Sequence, residues 1–260
     1  MEYQDILFSK GNRIARIIIN RPEKLNAFRA QTLKEMASAF EDIEKDPTIG
    51  VVVLRGQGNR AFCVGGDSGE TGDKGGYSAE LLLYATKVHD LIRKIPVPVI
   101  AAVNGYAIGG GHVIHVVCDL SIASETAIFG QAGPRVGSFD SGFGANYLAR
   151  VVGEKKAREI WFLCEQYSAQ EALEMGLVNK VVPPSKLDEE VNKWCEKILN
   201  LSPTALKILK QSFNLDTDHI NGVEALSMSN LWLFFNTEEA KEGRRAFLEK
   251  RQPDFSQFRK

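Results

Sequence analysis

Short apolar runs separated by polar turns fill the first two thirds of the chain, and a helical period takes over for the rest. Residues 6–9 and 14–19 flank Gly11-Asn12, which predicts a β-hairpin whose second strand ends at Arg21-Pro22. Within residues 31–45, Leu33, Met36, Ala37, Phe40 and Ile43 recur at helical spacing. A second helix carries Tyr84, Val88, Leu91, Ile92 and Ile95 on one face and is stopped by Pro96 and Pro98. Residues 51–54, 99–103 and 120–123 are short runs of buried-strand type. Ser168-Ala169-Gln170-Glu171 reads as a capping box for a short helix ending at Gly176. After Pro183-Pro184 only helices follow: residues 187–200, one with Ser202 as N-cap and Pro203 in its first turn, and two more through Lys250. The pattern predicts an α/β core over residues 1–186 and an all-helical region over 187–260.

Composition narrows the partners. Of 260 residues, 44% are hydrophobic and 25% charged, which excludes disorder as the global state. The 32 Lys+Arg against 33 Asp+Glu leave no basic excess for the phosphates of a duplex, so no nucleic-acid partner is expected. The N-terminal segment lacks a basic stretch followed by an apolar run and does not read as a signal peptide. The most apolar stretch, 97–108, is broken by Pro98, Asn104 and Gly105, so no membrane span is expected either. Cys63, Cys118, Cys164 and Cys195 are widely spaced and form no CxxC pair, the usage of reduced thiols in a cytoplasmic protein.

Two glycine-rich turns carry the first candidate chemistry: Cys63-Val64-Gly65-Gly66-Asp67, and Gly109-Gly110-Gly111 ahead of a helix over residues 112–117. Glycine permits unusual backbone angles and lets a ligand approach the N–H groups. A helix N-terminus adds unpaired donors and partial positive charge. Two such N–H groups aimed at one oxygen make an oxyanion hole for a thioester enolate. Read alone, both segments are also accounted for as tight turns packed against backbone. His112 and His115 lacks the HExxH spacing of a zinc site, and no metal is predicted. His112 is expected on the site side and His115 in the packing, while His89 and His219 read as surface residues. Asp140, within GPRVGSFDSG, reads as a loop or capping aspartate.

Together, AFCVGGD at 61–67, GYAIGGGH at 105–112, CDLSIAS at 118–124 and IFGQ at 128–131 resemble the crotonase (enoyl-CoA hydratase/isomerase) superfamily. The resemblance runs from RPEKLNAF to KRQPDFSQF, essentially the whole chain. It implies an α/β spiral of ββα units with a helical C-terminal region that builds a trimer, or a dimer of trimers, and completes the site. It also implies acyl-CoA substrates, with coenzyme A as part of the thioester and no tightly bound cofactor. The oxyanion-hole N–H groups fall on Gly66 and Gly110. Contacts to CoA fall on Lys24, Ala27, Val64, Gly65, Asp67 and Tyr106, and Phe247 and Lys250 match a pair that reaches the nucleotide from a neighbouring subunit.

The departures from that pattern direct the functional expectation. Hydratases of the superfamily carry one glutamate just after the triple glycine and another after the FGQ segment; here those positions are Val113 and Gly133. Water addition by paired carboxylates therefore lacks its residues. GPRVGSFDSGFG and KKAREIWFLCEQY resemble 1,4-dihydroxy-2-naphthoyl-CoA synthase, which closes a ring. The same loop, VVGEKKAREIW and SPTALKILKQSFNLDTDH resemble 2-ketocyclohexanecarboxyl-CoA hydrolase, which opens one. Both resemblances put the catalytic aspartate at Asp140, with Ser138 and Tyr77 in the site. Where the relatives carry a tyrosine in the C-terminal arm, this chain has Phe235, and the synthase's basic loop residues are partly replaced by Gly69 and Thr71. Hydrolytic ring opening of a cyclic β-ketoacyl-CoA is the first expectation. The ring-closing synthase is the alternative, with Gly133 leaving room for a small anion such as bicarbonate as base. A catalytically silent acyl-CoA-binding trimer is the third. Trp194, Trp232, Phe234 and Phe235 exceed what a surface arm exposes, which points to self-association.

Overall fold

The computed structural model describes residues 3–69 and 76–259; Thr71 lies outside them. β1 (Ile6–Gly11) and β2 (Ile14–Ile19) pair antiparallel, with Ile6 opposite Ile19. Their turn is Asn12-Arg13, one position beyond the expected pair, and both residues adopt positive φ, as a two-residue hairpin loop of matching twist requires. α1 (Ala30–Glu44) buries the five apolar positions read from its spacing.

From there the chain winds in repeated turns, each giving one strand to each of two sheets before a helix follows. The first turn is β3 (Val51–Gly56), β4 (Ala61–Cys63) and α2 (Ala79–Lys94). The second is β5 (Val99–Val103), β6 (Tyr106–Ile108) and α3 (Gly110–Val117). The third is β7 (Leu120–Ser124), β8 (Ile128–Gly130) and a π-helical turn at Gly142–Tyr147 that runs into α4 (Leu148–Val152). α5 (Glu154–Leu163), β9 (Gln166–Ser168), α6 (Ala169–Glu174) and β10 (Lys180–Val182) follow. The helical C-terminal region is α7 (Leu187–Leu199), α8 (Pro203–Leu215), α9 (His219–Phe234) and α10 (Glu238–Leu248).

The larger sheet has the order β1-β2-β3-β5-β7-β10, parallel beyond the hairpin. The smaller has the order β4-β6-β8-β9, with only the last pair antiparallel. This is the α/β spiral expected, with its helical C-terminal region. β3 and β5 read as unbroken apolar runs because both of their faces are covered. Val52, Leu54, Val99 and Ala101 join the main core with α1 and α2. Val51, Val53, Ile100 and Ala102 pack on the other side against Leu187, Val191 and Cys195 of α7.

The later helices are tied down by polar groups. Ser202 caps α8 at the Ala205 N–H. Buried Lys210 then donates to the carbonyls of Ile92 and Val97 and pairs with Asp119 at 2.7 Å. α9 lies across the π-turn and α2. The aromatic surplus of the arm is not mainly surface: Phe235 packs on Tyr77, Phe234 on Phe139, and Trp194 donates to Glu190, leaving Trp232 as the exposed one. Exposed apolar side chains lie instead on Ile208, Leu209, Phe213 and Leu215 of α8, Leu226 and Leu233 of α9, and Phe247 and Leu248 of α10. Among the described residues no helix is long and apolar enough to cross a membrane.

Candidate active site

The backbone builds one half of the site. The Phe28 N–H donates to the Gly65 carbonyl at 2.8 Å, and the Asp67 N–H donates to the Phe28 carbonyl at 2.8 Å. These two bonds clamp the chain on either side of Gly66 and leave its own N–H without a partner among the described residues. Gly65 has φ +91, and a Cβ there would lie 2.9 Å from the Gly110 nitrogen, so glycine is what lets the two segments touch. The helix expected from residue 112 starts at Gly110, whose first-turn N–H is likewise unpaired among the described residues. Gly66 and Gly110 border the same cavity.

Two connected spaces meet there. An outer cleft of about 630 Å³ is lined by Lys24, Ala27, Val64, Asp67, Tyr106 and Phe247. An inner cavity of about 130 Å³ includes Gly65 and shares Val64, Gly66, Tyr77, Ala132, Val136 and Ser138 with the cleft. Phe247 therefore sits over the cleft of its own chain, whereas Lys250 is exposed and outside the lining. Asp67 is bound up locally. Burial raises its carboxyl, but the Gly69 N–H and the Arg21 guanidinium at 2.8 Å hold it below the usual range. Arg244 of α10, which the sequence did not single out, joins the cleft wall and donates to the Ser68 carbonyl.

Side chains from distant segments build the other half. Asp140 lines the inner cavity, and its Oδ1 accepts from the N–H groups of Gly142 and Gly144 at 2.9 and 3.0 Å. It is thus the capping aspartate and a cavity carboxylate at once, with Oδ2 making no hydrogen bond among the described residues. Burial, then the nearby Glu224 carboxylate, push its carboxyl up to about 7, against the pull of His89 and the two N–H groups. His89 is not a surface residue. It is buried on α2, lines the cavity and pairs through Nδ1 with Glu224 Oε1 at 3.0 Å. Its spacing offered a signal, because Ala85, His89 and Ile92 fall on one inward stripe. Tyr77 donates to the Gly66 carbonyl at 3.2 Å, and Phe235 meets its ring edge-on at 5.5 Å. Burial raises the Tyr77 phenol to about 12, so it stays protonated.

Two further expectations are corrected here. The room expected at Gly133 is already filled: a Cβ would lie 2.7 Å from the Ser138 carbonyl oxygen and 2.9 Å from the Trp161 ring. A glutamate side chain has no vacancy in that direction, although the Gly133 backbone borders the inner cavity. Val113 is buried and presents only hydrocarbon to the cavity. His112 does not face the site either. It is fully enclosed, touches Gln131 through Nδ1 and lies edge-on to His115 and Phe129, and burial pushes its imidazole down to about 4.

A two-sheet spiral with a helical C-terminal region, and a cleft that runs into a smaller cavity, is the architecture of the acyl-CoA-binding crotonase class. The enoyl-CoA hydratase/isomerase family model matches residues 9–259, and the chain belongs to that family, whose members act on CoA thioesters. An enoyl-CoA hydratase from Mycobacterium avium subsp. paratuberculosis K-10 is similar over 98% of this chain and 100% of its own, at 29% identity and a TM-score of 0.86. An enoyl-CoA hydratase from Bacillus anthracis is 30% identical over 96% of this chain and 98% of its own, with a TM-score of 0.76. An enoyl-CoA hydratase/isomerase from Pseudoalteromonas atlantica T6c is 27% identical over 97% and 100%, with a TM-score of 0.83.

Proposed function

We propose that the protein opens a cyclic β-ketoacyl-CoA of the 2-ketocyclohexanecarboxyl type by hydrolysis. The observation that carries this reading is Asp140: a carboxylate with a free oxygen lines the same cavity as the two N–H groups, while both hydratase glutamate positions are Val113 and Gly133. CoA lies in the outer cleft along Lys24 and Phe247, and the acyl ring in the inner cavity. Asp140 takes a proton from water as the water oxygen adds to the ring ketone. The bond between the ketone carbon and the α-carbon then breaks, and its electron pair forms the thioester enolate held by the Gly66 and Gly110 N–H groups. Returning the proton to the α-carbon gives a dicarboxylic acid mono-CoA ester. Ser138 and Tyr77 border the reacting end.

The inner cavity's size is compatible with one ring. A cavity of about 150 Å³ holds benzene, so about 130 Å³ that opens into the cleft is of the scale of one six-membered ring. Incubation with 2-ketocyclohexanecarboxyl-CoA and, separately, with succinylbenzoyl-CoA, followed by mass analysis, tests the reading. A gain of one water with the first is expected. Loss of water with the second would put the synthase in its place, and inertness toward both would leave a silent binder.

Self-association belongs to the same proposal. The apolar side chains of α8, with Phe213 75% exposed, support a trimer or dimer of trimers, in which Lys250 could serve a neighbouring copy's cleft. Light scattering at micromolar concentration should return three or six times the chain mass; a monomer overturns it. Four buried free cysteines support a cytoplasmic setting.

A further inference from the structure

We infer that His89, clamped by Glu224, is an oxygen-recognition point inside the inner cavity, so that the protein selects acyl groups bearing an oxygen acceptor over plain hydrocarbon ones. The inference rests on the inner cavity being the acyl site, and not on ring opening.

The pair is expensive to bury and is not spent on packing alone. His89 is 4% and Glu224 1% exposed. Glu224 uses both oxygens, Oε1 toward His89 Nδ1 at 3.0 Å and Oε2 as acceptor for the Phe143 N–H at 3.2 Å. That fixes the imidazole's orientation and leaves Nε2 without a hydrogen bond among the described residues, in a ring that lines the cavity. Around it the wall is apolar: Leu81, Leu82, Ala85, Met228 and Leu231. Tyr77, Ser138 and Asp140 also line the cavity, and on this side of it a polar group among hydrocarbon side chains orients whatever binds there.

The charges around the ring decide whether Nε2 donates or accepts. Glu224 from α9 and Asp140 from the segment ahead of the π-turn face it, and Arg93 lies one turn along α2, its guanidinium over the Phe143 and Tyr147 rings. Burial pulls the imidazole down, but the Glu224 hydrogen bond and the two carboxylates outweigh it and raise the histidine above its ordinary value. An imidazolium offers Nε2–H as a donor. Its matching ligand is a ketone, hydroxyl or carboxylate oxygen on the acyl group. The His112–His115 pair is the contrast: those rings also hold unpartnered nitrogens, but they line neither of the two connected spaces, and burial keeps both neutral. A site built to hydrogen-bond an oxygen rejects the analogue that lacks it, because its own buried group is left unpaired.

Calorimetric titration with cyclohexanecarboxyl-CoA and 2-hydroxycyclohexanecarboxyl-CoA tests this, since neither has the ketone that ring opening needs. The wild-type protein should prefer the hydroxy thioester at least about tenfold, the size of one good polar contact. In the paired variant His89→Leu with Glu224→Met, which removes both charges together, that preference should fall below about threefold, because the plain thioester no longer leaves a buried donor unpaired. Equal affinities in the wild type, or a preference retained in the variant, overturn the proposal. If circular dichroism shows the paired variant unfolded, His89→Asn, whose amide nitrogen takes about the place of Nδ1 and can still donate to Glu224 while nothing replaces Nε2, must show the same loss of preference; a preference kept there also overturns it. Failure to hydrate the keto thioester would remove the ring-opening reading and leave this binding ratio readable.

Discussion

The two halves of the site are made of different material. Gly66 and Gly110 contribute backbone dipoles whose positions follow from nearby geometry: the Phe28 bridge, the φ of +91 at Gly65 and the start of α3. Asp140, His89 and Glu224 contribute full charges from three segments, and the His89–Glu224 contact spans 135 positions of sequence. Fixed dipoles need no reorganisation when charge develops and carry no titration of their own. Buried charges must be desolvated and paired, so they bring pH dependence and a stability cost with them. The backbone half should therefore set how well an enolate is held, and the side-chain half when and on what the enzyme works.

The sharpest way to separate the halves is Asp140→Asn. Asparagine keeps an acceptor for the Gly142 and Gly144 N–H groups but cannot take a proton. Loss of a general base lowers rate by roughly a hundred- to ten-thousandfold. Steady-state kinetics should show that drop in kcat, and calorimetry with an unreactive CoA thioester should show binding within a few-fold of wild type. Retained rate would reduce Asp140 to its capping role.

Removing a dipole should cost somewhat less. Gly110→Pro deletes one N–H, and loss of one such donor lowers kcat by about a hundredfold or more. A Cβ at Gly110 lies 2.7 Å from the Phe28 ring, so steric damage must be separated from donor loss. Gly110→Ala makes the same contact and keeps the N–H. A folded proline variant should fall well below the alanine variant in kcat; equal rates would place the oxyanion donor elsewhere.

The same division explains what could be read from the chain. The glycine turns are visible because their geometry is local, and the strand runs because burial on both faces leaves them uniformly apolar. Asp140 is visible only through family resemblance, since a capping aspartate and a catalytic one look alike in sequence. His89 is misread as surface because its partner lies on α9, where the buried stripe is Ile220, Glu224, Ser227 and Leu231. Half of that stripe is polar, so no hydrophobic period marks it as facing inward. The room imagined at Gly133 fails for a related reason: a missing side chain says nothing of the Trp161 ring that fills its place.

A smaller effect concerns pH and rate. In the proposed mechanism Asp140 serves as a base only when ionised, and its carboxyl is raised to about 7. Below that point kcat should fall about tenfold per pH unit. A rate flat from pH 5 to 8 would mean that the proton goes to another group.

The smallest effect reaches stability, and its sign follows from the same raised carboxyl. In the unfolded chain Asp140 ionises near its ordinary 3.8, while the folded site holds its proton up to about 7. Folding is therefore favoured by the protonated form, and that contribution is full below pH 4 and lost as pH rises through about 7. At pH 8 the wild-type protein folds with an ionised Asp140 beside the Glu224 carboxylate, offset only in part by His89 and two N–H groups. Asp140→Asn removes that charge and keeps the capping acceptor. Its melting temperature should exceed the wild type's at pH 8 by roughly 5 °C, the shift expected for one to two kcal/mol in a chain of this size. At pH 5, where Asp140 is protonated in the folded state, the gap should narrow to a degree or two. Scanning calorimetry at both pH values reads the difference directly. A variant less stable than wild type at pH 8 would mean that His89 and the two N–H groups more than compensate the buried charge, and the side-chain half would then cost the fold nothing.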